Sequence, residues 1–320
     1  MFVVEATAVE RRGRITHGCL GLYTDENEAS IARTLHAARR YAGPTRFGIQ
    51  LAHAGRKAST HAPWQGGQPL AAGEDPWETV SASPLAFAPN WHVPRALTEK
   101  EIGGLVERFV HAAQRAVRIG FDTIELHCAH GYLLHEFLSP LSNHRTDAFG
   151  GSLEKRMRFP LQVIRAVRAA IPPSMPLGMR VSSTDWIEGG WDIEQTVQFV
   201  REAQALGIEY VCASSGGTAA VKLNVVPGYQ VPFAERIKRE TGMTTRAVGA
   251  IFTPKQAEQI LVSGQADMIA LARAFMDDPR WGWHAADALG ATTHGPSPYH
   301  LARSKGWKEL RDSAVAQERG

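Results

Sequence analysis

The chain has 320 residues and a mass of 35.0 kDa, with 44% hydrophobic and 21% charged residues, ordinary globular proportions that argue against disorder. A formal charge of +3 with only short basic runs, such as Arg11-Arg12 and Arg39-Arg40, gives no footprint for nucleic acid, and no apolar run reaches the length of a membrane span. Three scattered cysteines, Cys19, Cys128 and Cys212, are too few for a disulfide framework, and the first residues lack a signal-peptide pattern, so a reducing cytoplasm is expected.

Short β-branched runs alternate with longer amphipathic segments, the pattern of βα units around a parallel sheet. Residues 2–5 read as the first strand, and 25–40 have helical spacing. Residues 47–51 form the second strand, followed by Ala-His-Ala-Gly-Arg-Lys. From 58 to about 96 the chain is rich in Pro, Gly and Trp, and irregular segments of that length are usually functional or mobile. Thr98 with Glu101 is a capping box ahead of an apolar face at Leu105, Phe109, Ala112 and Ala116. A third strand, 121–126, follows. Further strands are expected at 177–181, 209–213, 245–248 and 268–271, with helices at 153–171, 193–206, 233–241, 254–262 and 281–289. The tail from 293 reads as polar. One (β/α) barrel domain over 1–290 and a tail over 291–320 account for the length. Seven strands are one fewer than a closed (β/α)8, or TIM, barrel needs, and the chain opens directly on a strand. The expectation is therefore a TIM barrel incomplete at its first strand, with two open edges.

The densest chemistry lies at the end of the third strand, where His127, Cys128, His130 and Tyr132 follow an apolar run and cross Gly131. Carboxyl ends of parallel strands are where reactive side chains are placed. His127 and His130, three apart on a turn, can both aim a ring N–H at one oxygen and polarise a carbonyl; a structural pair bonded to backbone is the plainer reading. Tyr132 offers a phenol as general acid, or packing alone. Gln50 and Arg180 stand at strand ends, where an amide and a fixed positive charge face a ligand or serve as a surface glutamine and an ordinary ion pair. Val248-Gly249-Ala250 and Ala272-Arg273 follow strands and offer backbone N–H groups and a cation suited to phosphate. A zinc site from His127, His130, His135 and Glu136 is a competing reading, though no HExxH occurs and other strand ends offer few acidic ligands. A non-catalytic, incomplete barrel is a third. No Gly-x-Gly-x-x-Gly follows a strand, so a resident dinucleotide is not expected.

Val4-Glu5-Ala6-Thr7-Ala8, Gly48-Ile49-Gln50-Leu51-Ala52-His53-Ala54-Gly55-Arg56-Lys57, His127-Cys128-Ala129-His130-Gly131-Tyr132, and Leu138 through Asp147 with Phe149-Gly150-Gly151-Ser152 together resemble the Old Yellow Enzyme family of NADH:flavin oxidoreductases. The likeness is greatest to bacterial ene-reductases of the xenobiotic-reductase type and runs from residue 1 to about 290. It implies a (β/α)8 barrel holding FMN without a covalent link. NADPH or NADH reduces the flavin and leaves, and an α,β-unsaturated carbonyl or nitro compound then takes the hydride. It also implies a homo-oligomer, with no nucleic-acid or membrane partner. By the same resemblance His127 and His130 bind the substrate oxygen and Tyr132 donates the proton. Ala6 touches the flavin, Gln50 meets its pyrimidine edge, and Arg180 stands near N1 and O2, where negative charge develops on reduction. Gly249, Ala272 and Arg273 fall in the phosphate loops, Ala272 replacing a glycine of many members. About fifty residues precede the Val-Glu-Ala motif in the family, so an N-truncated, inactive fragment is the alternative. Arg303 and Trp307 loosely resemble a C-terminal Arg or Trp that reaches a neighbouring subunit's site.

Overall fold

The computed structural model describes residues 1–318 except His294, Pro296, His300 and Ser304. It divides into two compact units, Met1–Phe252 with Gln256–Leu271, and Thr253–Lys255 with Ala272–Gly320. In chain order the main elements are β1 (Phe2–Ala8), α1 (Asp25–Arg39), β2 (Phe47–Ala52), β3 (Val80–Ser81), β4 (Arg95–Ala96), α2 (Glu99–Ile119), β5 (Thr123–Cys128), α3 (Leu133–Leu138) and α4 (Leu153–Ala170). There follow β6 (Leu177–Ser182), α5 (Ile193–Ala205), β7 (Tyr210–Ser214), α6 (Val231–Thr241), β8 (Thr244–Val248), α7 (Pro254–Val262) and β9 (Met268–Ala270).

Seven strands form one sheet in the order β1-β2-β5-β6-β7-β8-β9, and every adjacent pair is parallel. Consecutive strands lying side by side with helical crossovers are the wiring of the (β/α)8 barrel, as the periodicity predicts; among the described residues no ladder joins β9 to β1. Every residue of β2, β5 and β7 is buried, as expected for strands covered on both faces. The helices form where the sequence places their signals. Thr98, Ser152 and Asp192 each accept a backbone N–H at the starts of α2, α4 and α5, and Gly120 ends α2 at φ +92°, a conformation glycine adopts without a Cβ penalty. The α2 face Ile102, Leu105, Phe109, Ala112, Ala116 is wholly buried.

Three differences bear on the site. The central strand begins at Thr123, because Asp122 accepts the Phe47 N–H and bonds Arg39 and so closes the preceding turn. His127 and Cys128 thereby become its last strand residues. β1 extends to Ala8 with a register shift between Val4 and Ala6, so Ala6 lies inside the sheet. Within the irregular stretch, β3 and β4 form a two-residue parallel pair, too short for any periodicity. The second unit holds α8 (Arg273–Asp277), α9 (Trp281–Ala288) and α10 (Lys305–Glu318), so the polar tail contains a helix.

Candidate active site

Because the seven strands are parallel, their carboxyl ends share one rim. The register sets Ala6 beside Gln50 and Gln50 beside Glu125, and one step up sets His127 beside Arg180 and Arg180 beside Cys212. Residues separated by 32 to 75 positions are brought together in this way; spacing in the chain does not encode it.

The turn after β5 is held by side chains from three other places in the fold. His130 (φ +59°) and Gly131 (φ +66°) are both left-handed. A Cβ on Gly131 would lie 2.2 Å from the Gly217 carbonyl oxygen, so only glycine fits. The His130 N–H donates to Ser182 Oγ (2.9 Å), the His130 carbonyl accepts from Lys57 Nζ (2.9 Å), and the Gly131 N–H donates to His135 Nδ1 (2.9 Å). Every one of these groups is anchored, which keeps two consecutive left-handed residues in place.

That turn gathers three rings. The centroids of His127 and His130 are 5.2 Å apart and those of His127 and Tyr132 are 5.0 Å apart, both edge-to-face. The Ala129 N–H donates to His127 Nδ1 (3.2 Å), which leaves the proton of a neutral imidazole on Nε2. Burial, and next the Arg180 charge, hold the pKa of both histidines well below the usual imidazole value; they are neutral hydrogen-bond donors. His130 Nε2 meets Ser214 Oγ at 2.7 Å. Ser214 Oγ also lies 3.4 Å from Gln230 Oε1, to which its hydroxyl donates; with that proton so placed, His130 Nε2–H is the donor to Ser214. Burial pushes the Tyr132 phenol up to about 12, so it stays protonated.

Arg180 contacts Ser214 Oγ at 3.4 Å, while its Nε is buried with no hydrogen-bond partner. A guanidinium only donates, so this orphan N–H calls for an acceptor, and an electron-rich flavin edge is a fitting one. Gln50 donates its amide N–H to Glu125 Oε1 (2.6 Å), and Glu125 pairs with Arg246 across the sheet interior. Gly249 has φ +105°, and a Cβ there would lie 2.3 Å from Gln230 Nε2, so that stretch of backbone needs glycine. His127, His130, Tyr132, Gln50, Ala6, Arg180 and Gly249 all lie in the first unit. Ala272 and Arg273 open the second, exposed at the start of α8. Trp307 lies half exposed in α10, and the side chain of Arg303 is outside the described residues.

Of the supporting polar residues, the sequence raises His135 and Glu136 only as candidate zinc ligands, and Asp185 not at all. Asp185 accepts from Ser139 Oγ, Thr218 Oγ1 and the Trp191 N–H. Glu136 accepts from the Arg56 N–H (2.8 Å) and Ser81 Oγ (2.6 Å). Glu136 is thus engaged away from the histidine pair, His135 accepts the Gly131 N–H, and among the described residues no cluster of three or more His, Cys, Asp or Glu is placed to hold a metal. The zinc reading has no cluster to rest on.

Burial raises the Glu136 carboxyl to about 7 against smaller opposing effects of Arg56 and Ser81. The native state therefore binds a proton that the unfolded chain releases between about pH 4.5 and 7. Stability from this group is present below the unfolded value and is lost as pH rises through the folded one, amounting to about 3 kcal/mol. Urea unfolding at pH 4.5 and 7.5 should show a smaller loss over that interval in Glu136→Gln than in the unaltered chain; an identical loss in both would contradict the assignment.

A sequence profile of the NADH:flavin oxidoreductase / NADH oxidase family matches residues 1–290. An NADPH dehydrogenase of Geobacillus sp. (strain WCH70) is 38% identical over 308 residues, covering 96% of this chain and 84% of that protein. An NADPH dehydrogenase of Bacillus subtilis (strain 168) is 38% identical over 307 residues, with the same two coverages, 96% and 84%. Among solved structures, morphinone reductase superposes with a TM-score of 0.74 at 28% identity, over 92% of this chain and 79% of that one. A 2-naphthoyl-CoA reductase complex superposes with a TM-score of 0.79 over 90% of this chain and 44% of that one; at 24% identity it speaks for the fold alone.

Proposed function

The chain belongs to the NADH:flavin oxidoreductase / NADH oxidase family, and from that premise we propose that it reduces the activated C=C bond of α,β-unsaturated carbonyl or nitro compounds. It is an NAD(P)H:flavin oxidoreductase of a family that uses FMN with NADPH or NADH. Among the described residues no helix is long and apolar enough to cross a membrane.

The observation that carries the reading is the convergence of two neutral histidines, a protonated tyrosine and an arginine with an orphan N–H on one strand-end rim. FMN, when bound, would supply the hydride-transfer chemistry between NAD(P)H and the substrate's β-carbon. Gln50 and Arg180 would hold its pyrimidine side, with Ala6 beside them and Gly249 toward its phosphate. Arg180 supplies the positive charge that favours the reduced, anionic flavin. His127 Nε2–H, with His130 beside it, donates to the carbonyl or nitro oxygen and stabilises the charge that collects there as the β-carbon is attacked. Tyr132 gives its phenolic proton to the α-carbon and recovers one from solvent. Hydride and proton together saturate the double bond.

The test is anaerobic oxidation of NADPH by the FMN-loaded chain with 2-cyclohexenone, which should yield cyclohexanone. Tyr132→Phe should bind FMN normally while reduced flavin is reoxidised by the enone about a hundredfold more slowly. Consumption of NADPH only in the presence of oxygen, with the enone untouched, would refute the reading.

A further inference from the structure

We propose that Lys57 recognises an anionic oxygen group on the molecule bound beside Tyr132, so that the enzyme favours activated alkenes carrying a carboxylate. The inference rests on the ene-reductase reading above and adds a substrate class to it.

Lys57 ends the short 3-10 turn Gly55–Lys57 that follows β2. Its Nζ donates to the carbonyl oxygens of His130 (2.9 Å) and Gly217 (3.1 Å). An ammonium has three N–H bonds, and the third has no partner among the described residues. The same nitrogen lies 5.0 Å from the centre of the Tyr132 ring and 4.6 Å from that of Phe87. It therefore lies against the faces of both rings. Neutral carbonyls and ring faces stabilise an ammonium without cancelling its charge, and no described carboxylate stands within ion-pair distance of it. Of the nearby acids, Glu136 is engaged by the Arg56 N–H and Ser81, and Asp185 by Ser139, Thr218 and Trp191.

Burial lowers Lys57 to about 8, with Glu136 opposing and Arg56 adding to the effect, so the group is still mainly charged at neutral pH. A desolvated cation without a counter-charge is costly, and a ligand can supply what the chain does not. Two such cations act on the histidine pair, since Arg180 and Lys57 both lower the pKa of His127 and of His130. Arg180 is assigned to the flavin. Lys57, against the ring of Tyr132, is left for an anionic substituent of the substrate. Lys57 is thus a specificity-determining residue, and its contacts to the His130 carbonyl give it a structural role as well.

The experiment compares 4-oxopent-2-enoate with its methyl ester in the FMN-loaded enzyme and in Lys57→Met and Lys57→Arg. The expected result is a ratio of carboxylate KM to ester KM about tenfold higher in Lys57→Met, separate from any loss common to both substrates through the turn, with the ratio retained in Lys57→Arg. A shift of one pairing by that factor corresponds to about 1.4 kcal/mol. Reduction of the bound flavin by NADPH is measured separately. A tenfold loss of NADPH saturation, with substrate preference unchanged, would place the recognised anion on the coenzyme's phosphates and overturn the substrate assignment. Equal losses with both substrates and NADPH, or no change with any of them, would overturn the proposal and leave Lys57 as a clamp on the turn. Turnover of the ester reports that each variant is folded. Absence of FMN-dependent reduction of either compound by the unaltered enzyme would instead overturn the underlying reading.

Discussion

Enone reduction by pre-reduced, FMN-loaded enzyme should fall by about a hundredfold or more when His127→Ala is combined with His130→Gly. The magnitude follows from removing both N–H donors from a site where burial makes each one count, since water cannot replace them without opening the pocket. Glycine is chosen at 130 because the residue sits at φ +59°, where a Cβ is a strain and glycine is not. The variant therefore removes the imidazole without disturbing the turn. Single-turnover reoxidation by 2-cyclohexenone isolates this step from reduction by NADPH. A double variant that keeps more than about a tenth of the rate would remove the pair from substrate binding.

The second large effect concerns stability. Glu125→Leu alone should cost about 3–5 kcal/mol, because it leaves the Arg246 guanidinium buried without its carboxylate. The two side chains are only 1% and 7% exposed. Arg246 Nε already lacks a hydrogen-bond partner, and the group lies 5.2 Å from the centre of the Tyr210 ring. Glu125→Leu with Arg246→Met replaces the pair by apolar side chains and should recover most of the loss. Urea unfolding of both variants makes the comparison. A single variant no less stable than the double one would show that Arg246 finds another partner. Both variants also strip Gln50 of the carboxylate that holds its amide, so weaker FMN binding is expected in the double variant even where stability returns.

How much of this is legible from sequence depends on the range of the interaction. Thr98, Ser152 and Asp192 announce the helices they cap because capping is local, and the barrel wiring follows from strand-helix alternation. His127, His130 and Tyr132 stand out because they crowd one strand end. Ser182 and Ser214 do not, since a lone serine at a strand end reads as surface. Each becomes meaningful only when the sheet brings it to His130 from 52 or 84 residues away. Lys57 was visible within a motif, yet its role depends on carbonyls 73 and 160 residues distant. Glu125 and Arg246 look like alternating strand polar residues; only closure of the sheet interior makes them a buried pair. The strands β3 and β4 and the helices α8 and α10 lie below or outside what periodicity detects, whereas α9 forms where 281–289 is expected to be helical.

The central claim is that this strand-end rim holds a flavin that cycles between NADPH and an activated alkene. One anaerobic spectrum series tests it most directly: the purified chain is titrated with FMN, then NADPH, then 2-cyclohexenone. The account predicts bound-flavin bands near about 375 and 450 nm that bleach with NADPH and return in full with the enone. FMN that keeps its free spectrum throughout, or bound flavin that bleaches and is not restored by the enone, would contradict it.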